Sequence, residues 1–153
     1  MAVSADIASL VARELSFLKQ FTALLANEQD ALVKGDIDGL PALAERKNRL
    51  IEELSGLAGE RERALRALSL PAGREGMDAW AKTGGGKDWN ALLTLAREAR
   101  GLNDINGKLV SERLRHNQKA LQVLTAASER AALYGPDGQP RVGSGGGRTL
   151  GSA

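Results

Sequence analysis

Residues 89–134 read as one uninterrupted helical pattern that stops at Tyr134-Gly135-Pro136-Asp137-Gly138, and its apolar positions recur every seven residues. Leu92 and Ala99 share one row and Leu95, Leu102 and Leu109 the adjacent one; Ala120, Ala127 and Tyr134 follow, with Leu124 and Ala131 beside them. That recurrence is the period of a helix that packs lengthwise against another helix. No catalytic constellation lies on the stretch, so it points to helix-to-helix binding and away from chemistry.

The remainder of the chain supports an all-α fold. Aromatic residues make up 3% and apolar residues 42% of 153 residues, and the apolar share is mostly Leu and Ala, which favour helices over strands. The chain is one domain's worth of sequence. With no cysteine, disulfides, thiolate metal sites and thiol nucleophiles are excluded. The segment Met1-Ala2-Val3-Ser4-Ala5-Asp6 has neither the basic start nor the apolar centre of a signal peptide, and no run of about 18 apolar residues could span a bilayer. The expectation is a cytoplasmic protein without stable membrane insertion. A net charge of +2 is too small to argue for nucleic acid, and the basic clusters Arg61-Glu62-Arg63 and Arg113-Leu114-Arg115 are interrupted by acidic or apolar residues.

A first helix is expected over 5–33, capped by Ser4 or Asp6, with Val11, Leu18, Leu25 and Leu32 seven apart. Gly35 closes it, and Asp36 or Asp38 caps a second helix over 38–69 with Pro41 in its first turn. Charged residues interrupt both stripes. Glu14 and Glu28 lie fourteen residues apart on the first helix, as do Lys47 and Arg61 on the second. An antiparallel hairpin therefore admits one register that pairs Glu28 with Lys47 and Glu14 with Arg61 while setting Phe21 on Leu54 and Leu18 on Leu57. Such charges fix register more than they add stability.

Pro71, Gly73, Gly76 and Gly84-Gly85-Gly86 break the pattern over 70–88, leaving room for a short helix whose Met77, Trp80 and Ala81 share a face. Trp80 and Trp89 are expected to close the end of the hairpin. Gly84-Gly85-Gly86-Lys87 lacks the first glycine, the Ser or Thr and the preceding strand of a phosphate loop, and reads as a flexible linker with Asp88 capping the third helix.

That third helix, 89–134, would run roughly 69 Å against roughly 45 Å for each hairpin arm, so it cannot be covered along its whole length. Its middle carries a polar stripe, Asn103, Asn106, Arg113 and Asn117, suited to specifying register. Beyond it Ala120, Leu121, Val123, Leu124, Ala127 and Ala131 form a face of small residues with a few large anchors, which suits close approach of another helix. The expected architecture is an antiparallel helical hairpin plus one long third helix, coiled-coil-like, in a single unit 1–139, with a disordered Gly-rich tail over 140–153.

Chemistry finds little support. His116 is the sole histidine, and Glu112 one turn before it is a common surface pairing. Glu52 and Glu53 point to different helix faces. No enzyme, metal or cofactor is expected.

Several segments resemble the FlgN family of flagellar export chaperones: Trp89-Asn90-Ala91-Leu92-Leu93, Leu102-Asn103-Asp104-Ile105-Asn106-Gly107-Lys108-Leu109-Val110, His116-Asn117-Gln118-Lys119-Ala120-Leu121 and Leu133-Tyr134-Gly135-Pro136-Asp137-Gly138-Gln139. The first half agrees in organisation through Gly35-Asp36 and Glu45-Arg46-Lys47, so the resemblance covers about residues 5–139. It implies a cytoplasmic chaperone that binds the terminal helices of hook-associated proteins of the hook-filament junction, prevents their premature assembly and hands them to the cytoplasmic domain of the flagellar type III export gate. It maps client binding onto the Ala120 to Tyr134 face and gate docking onto Tyr134; the free chain is expected to be a monomer. The competing expectation is a structural coiled-coil protein that self-associates through the same face.

Overall fold

A computed structural model describes residues 2–133, and these are helical with short connections: α1 (Ala2–Lys34), α2 (Leu40–Ala67), α3 (Gly73–Trp80) and α4 (Gly86–Leu133), with a π-type turn over Ala81–Gly85 before α4. The predicted tail over 140–153 lies outside the described residues, as do Tyr134 and the side chain of Ala131. By packing, the chain divides into two units, Met1–Val110 and Ser111–Ala153.

The first unit packs the hairpin of α1 and α2 with the short α3 and the first part of α4. Ile7, Val11, Leu18 and Leu25 from α1, Leu65 from α2, Met77 and Trp80 from α3, and Trp89, Leu92 and Ala99 from α4 form one buried cluster. Phe21 and Leu54 pack against it, and Leu32 and Leu57 are also buried. The seven-residue recurrence in α1 places its large side chains on one inward row, which is why removing them from water holds the helices together. Two ion pairs set the direction of the hairpin: Arg61 Nε lies 2.7 Å from Glu14 Oε1, and Lys47 Nζ 3.3 Å from Glu28 Oε1. The earlier residue of α1 meets the later residue of α2, so the arms are antiparallel.

Both arms end in the same way. After α1, Gly35 takes a left-handed φ of 77° and the Asp36 N–H donates to Ala31 O at 3.0 Å. After α2, Ser69 adopts φ 57°, its N–H donates to Arg66 O at 3.0 Å, and the Leu70 N–H donates to Leu65 O at 3.0 Å. These are the paired bonds of a Schellman ending, with the Leu65 and Leu70 side chains both turned to the core.

Four local expectations are corrected. Ser4 and Asp6 lie inside α1, because nothing in Ala2 or Val3 stops the helix from extending back past them. Neither Asp36 nor Asp38 caps α2: the capping position is Gly39, which has no side chain to accept from the first-turn amides. Asp88 sits in the first turn of α4, where its charge still complements the helix dipole, and does not cap it. The glycine triplet is a defined corner, not a flexible linker. Gly84 turns the chain with φ 130°, and a Cβ on Gly85 would collide with the Trp80 indole, so the ring occupies space that only glycine leaves open. The corner is held further by the Gly73 N–H, which donates to both carboxylate oxygens of Glu62 at 3.1 Å, and by Trp89 Nε1, which donates to Asp78 Oδ1 at 2.8 Å.

Candidate helix-docking face

Two sets of residues singled out by sequence meet different fates. Within the first unit, Glu28 accepts from Lys47 and also, at 2.9 Å, from Asn106 Nδ2. Asn106 Nδ2 lies 2.9 Å from Leu25 O as well, and Lys47 Nζ donates to Asn103 Oδ1 at 2.7 Å. The network thus joins α1, α2 and α4 in one polar seam. Asn106 is 1% exposed, whereas Asn103 lies at the surface and reaches the seam only through Lys47. Asn117, the third asparagine of the stripe, is exposed. Glu14 and Arg61 make a second seam toward the other end, where Arg61 also lies over the Trp89 ring.

Within the second unit, the small-residue face is open. Leu121, Val123 and Leu124 are 63%, 67% and 65% exposed, and Ala120 and Ala127 are exposed beside them. Large aliphatic side chains this accessible leave apolar area of the helix in contact with water. Thr125 does not interrupt the surface with an unmet polar group, because its hydroxyl donates to Leu121 O at 2.7 Å. The seven-residue spacing brings Leu114 onto the same side as Leu121, and Leu114 is 56% exposed. Sequence reasoning missed Leu114 by treating it as part of the basic cluster with Arg113 and Arg115; its spacing to Leu121 was the available signal. Ile105 and Val110, exposed in the first unit, were missed as well.

His116 is exposed, and among the described residues no three or more His, Asp or Glu side chains are grouped so as to hold a metal. No helix of the described residues is long and apolar enough to cross a membrane. What this surface can do is bury apolar area against a second helix that carries a complementary stripe.

Comparison with known proteins fits a chain built this way. A protein called flagella synthesis protein FlgN from Yersinia enterocolitica is 30% identical over 141 residues, covering 91% of this chain and 92% of that one. A protein of the same name from Proteus mirabilis is 28% identical over 128 residues, covering 82% and 84%. No solved structure matches the chain. The family model described as FlgN protein matches residues 1–141, so the chain belongs to the FlgN family.

Proposed function

We propose that this protein is a cytoplasmic export chaperone of the bacterial flagellum. It binds the terminal helices of hook-associated proteins, keeps them from assembling at the hook-filament junction too early, and delivers them to the cytoplasmic domain of the type III export gate. The similar proteins from Yersinia and Proteus are named for flagella synthesis, which supports a role in that process. The observation that carries the docking part is the accessibility of Leu121, Val123 and Leu124 on one helix.

The mechanism is competition for one surface. A client helix that would otherwise polymerise lays its apolar stripe on the face of Ala120, Leu121, Val123, Leu124, Ala127 and Ala131, and the same stripe is then unavailable for assembly. Burial of apolar area supplies the affinity, and release needs no nucleotide from this chain. Tyr134 is proposed to dock to the gate. Residues 1–139 are assigned to the chaperone, and no role is assigned to 140–153.

Calorimetry with a hook-associated protein tests the docking face. Leu121→Asp with Leu124→Asp is expected to abolish binding while far-ultraviolet circular dichroism stays unchanged; unchanged affinity would refute the assignment. Light scattering of the free chain separates the chaperone from a self-associating coiled coil, since the chaperone remains a monomer as concentration rises.

A further inference from the structure

We propose that α4 carries an opening point between Gly101 and Gly107, where this stretch separates from α1 while the α3 corner stays packed. Both glycines lie in the interior of the helix at exposed positions, and a Cβ built on either would meet nothing within 4 Å. Packing therefore does not demand glycine at either place, and each weakens the helix relative to alanine.

Asn106 stands between them at the row position occupied by Leu92 and Ala99 earlier in α4. Its Nδ2 is bonded to Leu25 O and Glu28, but its Oδ1 is shielded from solvent and has no hydrogen-bond partner. A buried carbonyl without a donor disfavours the closed state, and opening lets water supply the missing bond. The other tie of α4 at this level, Lys47 to Asn103, is an exposed polar contact that water replaces readily, whereas Lys47 to Glu28 joins α2 to α1 and is not broken by the opening. The start of α4 is held differently, by buried Trp89 and Leu92, so the weakness is confined to the later stretch.

Separation uncovers Leu25, which is fully buried in the closed form, and Leu102 and Leu109, which are half-buried. It thereby offers apolar surface beyond the permanently exposed face. Use of that surface by a client rests on the proposed function; the opening itself does not.

Hydrogen exchange on the full-length chain tests the opening. Amides of residues 103–109 are expected to be protected at least about tenfold less than those of Leu24, Leu57 and Leu65, as sub-global opening requires. Gly101→Ala combined with Gly107→Ala should slow exchange at 103–109 by about 25-fold, given roughly fivefold for each helical glycine replaced. Asn106→Leu, which removes the unpartnered oxygen, should slow it as well. Protection at 103–109 equal to that of Leu57 and Leu65, or exchange there unaltered by the alanine pair, would overturn the proposal. Loss of client binding in the Leu121 and Leu124 variant leaves these rates untouched, so the two readings fail separately.

Discussion

The guanidinium carbon of Arg61 lies 5.2 Å from the centroid of the Trp89 ring. From that position Arg61 Nε and Nη2 also reach Glu14 at 2.7 and 3.3 Å, so one cation serves a carboxylate on α1 and an indole on α4. The Arg61 and Glu14 side chains are only 13% and 6% exposed, which makes the cation the hinge of a small desolvated cluster.

Removing one member of that cluster strands the other. Arg61→Ala leaves Glu14 buried and uncompensated and is expected to cost about 3–5 kcal/mol of stability. Replacing both at once, Glu14→Leu with Arg61→Met, should cost less than Arg61→Ala alone, because no buried charge remains. Urea denaturation of the three proteins measures the difference.

Ser69 at φ 57° holds a conformation that suits glycine better. Ser69→Gly should raise stability by about 1 kcal/mol, as relief of a non-glycine left-handed residue does. The mirror substitution at the end of α1, Gly35→Ser, should lower it by a similar amount. Thermal unfolding of both checks the sign at each site.

Gly85→Ala is expected to destabilise by about 1–3 kcal/mol, the usual cost of overpacking, by forcing the Trp80 ring out of its seat. A red shift of tryptophan emission should accompany the loss. Gly59→Ala, where the nearest atom to an added Cβ is Arg63 Nη1 at 3.9 Å, should leave emission unchanged.

Two leucines of equal size should behave oppositely. Leu57→Ala removes a buried side chain and should cost about 2–5 kcal/mol. Leu121→Ala removes an exposed one and should change stability by less than about 0.5 kcal/mol, while weakening client binding if the proposed docking face holds. Chemical denaturation and calorimetry together separate the two roles.

The hairpin was readable from four charged residues. Equal steps between Glu14 and Glu28 and between Lys47 and Arg61 allow one antiparallel register to neutralise both acids, and the structure pairs them in that way. The glycine triplet was misread because its meaning depends on Trp80, whose indole fills the space beside Gly85. Sequence spacing grouped Asn103, Asn106 and Asn117 in one stripe, but only the middle one is buried. Helical periodicity reports the direction in which a side chain points, and burial depends further on what lies opposite. For the same reason Leu114 was visible as a letter between two arginines and not as a surface.

Trp80 and Trp89 are the chain's only tryptophans, and both are buried at the α3 corner. Intrinsic tryptophan emission is therefore a local gauge, reporting the melting of that corner.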